Sequence, residues 1–97
     1  MLDEPLREPD ARALIRRIIE DGEVEFWPHA QQEMARDRLS QADCLNVLRG
    51  GWPDPAELES GNWRYRVHTQ KICVVVQFQT SEHLAVVTAW RKKKGVR

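Results

Sequence analysis

Three potentially cationic side chains alternate along one short segment of the sequence. In the run 63–68, Trp-Arg-Tyr-Arg-Val-His, the two-residue period of a β-strand places Arg64, Arg66 and His68 on one face, opposite Tyr65 and its apolar neighbours. Side chains two residues apart are about 7 Å apart, close to the phosphate spacing of an extended nucleic-acid strand, and guanidinium groups bind phosphate oxygens in pairs. The pattern favours a surface for a polyanion; the alternative is an ordinary solvent-facing side of a half-buried strand.

Proton transfer is the other chemistry that these residue types allow. An imidazole titrates near neutral pH, so His29 and His68 are candidate acid–base groups, and Tyr65 is a third. The cysteines, Cys44 and Cys73, lie far apart in apolar segments and are predicted to be buried thiols. Neither the cysteines nor the three histidines have the spacing of zinc ligands, so we expect no metal and no other cofactor.

The charges of the chain are divided between its two ends. The formal net charge is zero, but residues 1–62 carry 7 basic and 14 acidic residues, whereas residues 63–97 carry 8 basic residues and one acid, Glu82. Such asymmetry is a hint of nucleic-acid binding, with RNA as the first candidate. Arg91 and the run Lys92–Lys94 would extend the basic region if the last strand lies near the first. Alternatively, acidic helices neutralise a basic sheet within the fold.

The 97 residues are the usual length of one domain. Residues 1–9 mix charge with prolines and predict a frayed lead-in. Residues 10–50 predict three helices. The first is capped by Asp10 and ends at Gly22, which is expected to be left-handed. The second starts near His29, after Pro28, and the third starts with a capping box at Ser40. A short extended piece is expected near residues 24–27.

The period of the pattern changes from 3.6 to 2 after a predicted loop at residues 51–61. The runs 63–68, 72–78 and 84–91 are rich in β-branched and aromatic residues and are joined by short polar links, which predicts consecutive antiparallel hairpins. The sequence therefore predicts an α+β fold in which N-terminal helices pack on a three- or four-stranded antiparallel sheet spanning residues 62–92.

No apolar run approaches the roughly 20 residues that a membrane helix needs. The first residues, Met-Leu-Asp-Glu-Pro, lack the apolar stretch of a secretory signal. We therefore expect a cytoplasmic protein with no membrane partner.

Several short motifs together resemble a known family. They are Phe26-Trp27-Pro28-His29-Ala30, Met34, the run Arg36–Ser40, and later Tyr65-Arg66, Val74–Val76 and Val87-Thr88-Ala89-Trp90. These motifs are similar to those of the small bacterial domain-of-unknown-function family DUF4258, which has an HA-x-x-x-M-x-R motif. The resemblance covers residues 12–92. Length and helix-then-sheet order are also similar to the MqsR toxin within the RelE-like group.

This resemblance implies a toxin of a type II toxin–antitoxin system, a metal-independent endoribonuclease that cleaves mRNA on a basic, RelE-like sheet face. Its partner would be a cognate antitoxin, for example a zinc-finger protein of the MqsA type. For this activity the candidate catalytic residues are His29, Arg64, Tyr65, Arg66 and His68, and the candidate RNA-binding residues are Arg36, Arg91, Lys92 and Lys93. Of the two histidines, His29 is the one that matches the family, whereas His68 is inferred only from strand geometry. The family usually has an arginine near Gln32 or Glu33, and Glu33 lies one turn from His29. The alternative is a non-catalytic RNA- or protein-binding module of the same fold.

Overall fold

A computed structural model describes residues 2–93 and has three helices and six strands, so the predicted α+β fold is confirmed. The elements in chain order are α1 (Glu8–Asp21), β1 (Glu23–Phe26), α2 (Pro28–Arg36), α3 (Gln41–Gly50), β2 (Trp52–Pro53), β3 (Glu57–Glu59), β4 (Asn62–His68), β5 (Ile72–Thr80) and β6 (His83–Arg91).

The helix starts follow local capping chemistry. Pro28 occupies the first turn of α2, where its missing N–H needs no partner. The Ser40 side chain accepts a hydrogen bond from the Asp43 amide, and the Asp43 carboxylate accepts one from the Ser40 amide, which lowers the pKa of Asp43 and completes the predicted capping box. The predicted cap at Asp10 is wrong: the first helix starts at Glu8 with Pro9 in its first turn, so Asp10 lies inside the helix, and no side chain of residues 2–93 caps this start.

Two further expectations about the first 22 residues are wrong. Leu2 and Leu6 pack against the main apolar core, so the described part of the lead-in, residues 2–7, is attached rather than frayed. Gly22 has φ −113° and is not left-handed. A glycine is needed there for a different reason: a Cβ atom would lie 2.3 Å from the backbone oxygen of Glu82.

The sheet is larger than predicted and mixed. Its strand order is β1-β6-β5-β4-β2, with β3 paired to β4 off this path. The three predicted hairpin strands are present as β4, β5 and β6, all antiparallel. In addition, β1 pairs with β6 in parallel, with Glu23 opposite His83. Local periodicity cannot reveal a pairing between segments so distant in sequence.

The segment predicted to be a loop, residues 51–61, contains β2 and β3. Ser60 and Gly61 have φ of 51° and 80°, as a two-residue type I′ turn requires at both central positions. This turn folds β3 back on β4, so that Glu57 lies opposite Arg64.

The two faces of the sheet differ in what covers them. On the first face, Tyr65, Val67 and other apolar residues of β4–β6 form the main core with buried residues of all three helices. The second face has a small apolar cluster of Cys73, Val75 and Val87, packed against Trp27 and Trp90. Trp27 lies just before α2, so within residues 2–93 no helical residue belongs to this second cluster.

Candidate nucleic-acid interface

The two arginines and the histidine of β4, which we call the arginine row (Arg64, Arg66 and His68), share the second face as predicted. In the register of β4 with β5, Arg66 lies opposite Val75 and His68 lies opposite Cys73, both members of the second apolar cluster. The buried residues of β4, in contrast, belong to the main core. Strand alternation alone therefore places this row correctly.

Each member of the row has an acidic partner that the sequence analysis missed. Three carboxylates from residues 54–59, here called the acidic strip, contact the row: Arg64 pairs with Glu59, Arg66 Nη2 lies 3.4 Å from Glu57 Oε1, and His68 Nε2 lies 2.8 Å from Asp54 Oδ1. For this row, the neutralising carboxylates come from β3 and the loop before it, not from the helices of the alternative interpretation. The signal in the sequence was the Glu-x-Glu spacing just before a Ser-Gly turn.

The pairs differ in how firmly they are held. The Arg64 side chain is 21% exposed, and its Nε donates to Gln77 Oε1 at 3.2 Å. Gln77 is itself buried and donates to Gln79. The pair of Arg66 and Glu57 is 52% and 63% exposed, respectively. Exposed ion pairs contribute little to stability, so Arg66 and Glu57 can exchange partners at low cost.

Tyr65 lies away from the arginine row, which corrects its assignment as a proton-transfer candidate. Its side chain is fully buried on the helix-covered face. The hydroxyl accepts a hydrogen bond from the Leu6 amide and donates one to Glu4 Oε2, both at 3.0 Å. Burial raises the pKa of Tyr65 to about 12. The alternation that exposes Arg64 and Arg66 directs Tyr65 inward, where it anchors the N-terminal segment.

The two site residues of α2 are not joined to the row by any hydrogen bond or ion pair within residues 2–93. His29 is exposed in the first turn of α2 and forms no side-chain hydrogen bond with the described residues. Arg36 is exposed and pairs with Glu33 at 3.2 Å. Glu33 therefore neutralises Arg36, and within residues 2–93 it forms no hydrogen bond with His29, one turn away.

Arg91 has a structural role in addition to its predicted role in RNA binding. Its backbone amide donates to Asp37 Oδ2, and its guanidinium donates to the carbonyl oxygens of Asp37 and Arg38. These carbonyls follow the C-terminus of α2, where a cation is favoured by the helix dipole. Because β5 separates β6 from β4, Arg91 does not extend the arginine row.

A group of four cations lies where the β4–β5 turn meets the end of β6. A cavity of about 480 Å³ there, which we call the basic end, is lined by Gln70, Lys71, Arg91, Lys92 and Lys93. Within residues 2–93, neither Lys71 nor Lys93 forms a salt bridge. The predicted residues Lys92 and Lys93 are thus brought together with Lys71, which the sequence analysis had not singled out. Lys94 lies outside the described residues.

His68 connects the arginine row to the basic end. Its Nδ1 is 2.9 Å from Lys92 Nζ, which also donates to the Thr69 carbonyl at 2.7 Å. An ammonium group only donates hydrogen bonds, so Nδ1 accepts, and the ring proton is on Nε2, facing Asp54. This assignment gives His68 an unprotonated nitrogen beside a cation, and a carboxylate behind the other nitrogen.

The predicted buried thiols are confirmed. Cys44 and Cys73 are buried and unpaired, and burial raises the pKa of both, that of Cys44 to about 11. Because the thiolate is the nucleophile, neither cysteine is suited to nucleophilic catalysis. In residues 2–93, no three histidine, cysteine, aspartate or glutamate side chains are grouped so that they could hold a metal ion.

Comparisons with known proteins leave the family resemblance as a prediction. No family model matches the sequence, and no curated protein or solved structure shows significant similarity to it. In the part of the chain that the structure describes, no helix is long and apolar enough to cross a bilayer.

Proposed function

We propose that the protein is an endoribonuclease that cleaves single-stranded RNA, with His68 as its proton-accepting catalytic residue. The observation that supports this most is the arrangement around the His68 imidazole, with Lys92 Nζ 2.9 Å from Nδ1 and Asp54 Oδ1 2.8 Å from Nε2. A proton acceptor, a cation and an orienting carboxylate are the groups that phosphodiester transesterification uses.

The proposed reaction uses the ribose 2′-hydroxyl as the nucleophile. When RNA binds, Lys92 Nζ moves from His68 Nδ1 to a phosphate oxygen, and the 2′-hydroxyl takes its place and donates to Nδ1. The 2′ oxygen attacks phosphorus as its proton passes to Nδ1, and the bond from phosphorus to the 5′ oxygen breaks. Water protonates that leaving oxygen, and the hydroxide this produces takes the proton from Nδ1, which restores the neutral imidazole. The products are a 2′,3′-cyclic phosphate and a 5′-hydroxyl, and Asp54 stabilises the imidazolium as the carboxylate does in a catalytic triad.

Phosphate groups on either side of the cleavage point require further cations. The basic end supplies Lys71 and Lys93 next to Lys92. On the other side of His68, Arg66 lies two residues away along β4, about 7 Å. The exposed contact of Arg66 with Glu57 is weak enough for a phosphate to replace.

In its biological setting, the proposed enzyme is a toxin of a type II toxin–antitoxin system that cleaves mRNA and is neutralised by a cognate antitoxin. The sequence resemblance to the DUF4258 family supports this assignment. Induced expression in growing bacteria should stop growth and create new RNA ends, and co-expression of the neighbouring open reading frame should restore growth. Growth that continues with intact transcripts would count against the toxin.

The direct test is cleavage of a labelled single-stranded RNA by purified protein in the presence of EDTA. We expect His68→Ala to reduce the cleavage rate at least a hundredfold, in the range of general acid–base contributions, with the melting temperature little changed. The matched control is His29→Ala, which alters the exposed histidine that the family resemblance implies as catalytic. Because no hydrogen bond or ion pair joins His29 to the row within residues 2–93, we expect this variant to leave the rate unchanged. Equal rates for wild type and His68→Ala would refute the proposed role of His68.

A second function, RNA binding without cleavage, is favoured by the basic end. Lys71 and Lys93 have no salt-bridge partner within residues 2–93 and are free to bind phosphate in a binding module. This function predicts salt-dependent RNA affinity that the double variant Lys71→Ala/Lys93→Ala weakens. It also predicts that wild-type protein leaves RNA uncut.

A further inference from the structure

A cleft on the second face of the sheet lies beside the arginine row, and of its lining residues only Arg66 has a role in the proposed chemistry. It has a volume of about 160 Å³, and its lining is formed by Glu57, Glu59, Arg64, Arg66, Val75, Val87, Thr88 and Trp90. In another protein, a cavity of about 150 Å³ binds benzene. The cleft therefore has room for one aromatic ring system with part of it open to solvent.

The lining combines an apolar base with polar groups of both signs. Val75 and Val87 are each 7% exposed, and Trp90 packs against them. The guanidinium groups and carboxylates at the rim come from β3 and β4. Single-stranded RNA is recognised by stacking of splayed bases on aromatic or guanidinium planes and by hydrogen bonds to their edges, and this cleft offers both kinds of contact.

From this combination we propose that the cleft binds a guanine base of the RNA. A carboxylate with two acceptor oxygens matches two adjacent donors, and among the four RNA bases only guanine has them, at N1 and N2. Arginine in turn donates to the O6 and N7 atoms of guanine. Glu57 is the base-binding carboxylate because its contact with Arg66 is long and exposed, whereas Glu59 is held by Arg64 and, through it, by Gln77.

The position of the cleft links it to the proposed cleavage point. Across the sheet, His68 lies opposite Cys73, and Cys73 lies opposite Trp90, so His68 and Trp90 are two strand spacings apart, about 10 Å. Guanine binding by the cleft does not depend on the proposed function. Its consequence for cleavage does rest on the proposed function: the enzyme would cut the RNA at a phosphate next to a guanosine.

Titration calorimetry with the four ribonucleoside monophosphates tests the cleft without any cleavage. GMP, AMP, CMP and UMP carry the same phosphate, so differences in affinity report the base. We expect GMP to bind at least tenfold more tightly than the others, since a bidentate contact to a base discriminates by about this factor. Glu57→Gln should reduce GMP affinity about tenfold and leave AMP affinity unchanged.

The matched control is Glu33→Gln, which removes the same charge from an exposed ion pair on α2, outside the cleft. Four equal affinities, or equal losses of GMP affinity for Glu57→Gln and Glu33→Gln, would overturn the guanine site. GMP preference without RNA cleavage would refute only the proposed enzyme. Cleavage by wild type with no GMP preference would refute only the guanine site.

Discussion

Replacing Tyr65 with phenylalanine separates a structural role of this hydroxyl from a catalytic one. The change removes the acceptor for the Leu6 amide and the donor to Glu4, while the buried ring remains. A neutral hydrogen bond contributes about 1 kcal/mol, and one to a charged group contributes more. We therefore expect a loss of about 2 kcal/mol in the free energy of unfolding, or about 8–16 °C in melting temperature for a domain of this size.

Urea unfolding at pH 7 and calorimetry measure this loss, and a double-mutant cycle with Glu4→Gln locates it. Because Tyr65 donates to the Glu4 carboxylate, the two substitutions should be non-additive. The cleavage rate of folded Tyr65→Phe protein should equal that of the wild type. Loss of cleavage with an unchanged melting temperature would refute our reasoning and return Tyr65 to the catalytic set.

The same hydroxyl predicts a pH dependence. Burial raises the pKa of Tyr65 to about 12, whereas an exposed tyrosine in the unfolded chain has a pKa near 10. The folded state thus retains the proton, so this contribution to stability is complete below pH 10 and is lost as the pH rises from 10 to 12. The stability difference between wild type and Tyr65→Phe should shrink over this range. A difference that stays constant up to pH 12 would contradict the raised pKa.

Three further predictions concern the elements that position the site. Gly22→Ala should lower the free energy of unfolding by about 1–3 kcal/mol, since its Cβ would meet a carbonyl oxygen at 2.3 Å. Gly50→Ala has open space at the end of α3 and should raise it by about 0.4–1 kcal/mol. Urea unfolding measures both changes, and the same sign for the two would be inconsistent with the structure. Arg91→Ala should lower the free energy of unfolding by about 1–3 kcal/mol because the carbonyl oxygens after α2 lose their donors. The exposed control, Lys93→Ala, should change it by no more than about 0.5 kcal/mol. Equal shifts in melting temperature for the two variants would refute the structural role of Arg91. Ser40→Ala should lower stability by about 1 kcal/mol through loss of the capping box, seen as a lower denaturation midpoint, and no change would show that the cap is dispensable.

Local sequence patterns were sufficient to predict those helices and strands whose formation depends on neighbouring residues. Pro28 and the Ser40 capping box marked the starts of two helices, and β-rich runs marked β4, β5 and β6. These features were predictable because each depends on contacts within one turn or one strand. The strands β2 and β3 were missed because proline and glutamate are poor strand formers, and pairing with β4 overrides that preference.

For the candidate site, the sequence alone determined which residues share a face. A strand has a period of two, so Arg64, Arg66 and His68 had to lie together and Tyr65 had to lie opposite them. Only the tertiary structure decided what each of them faces. The contact of Lys92 with His68 and the use of Arg91 at the end of α2 join segments that are distant in the chain. The acidic partners are nearer, 5 residues away for Arg64 and 14 for His68, but they reach the row only because β3 and the preceding loop fold back beside β4. A charge pattern gives the number of cations, but folding decides which carboxylates lie within reach of them.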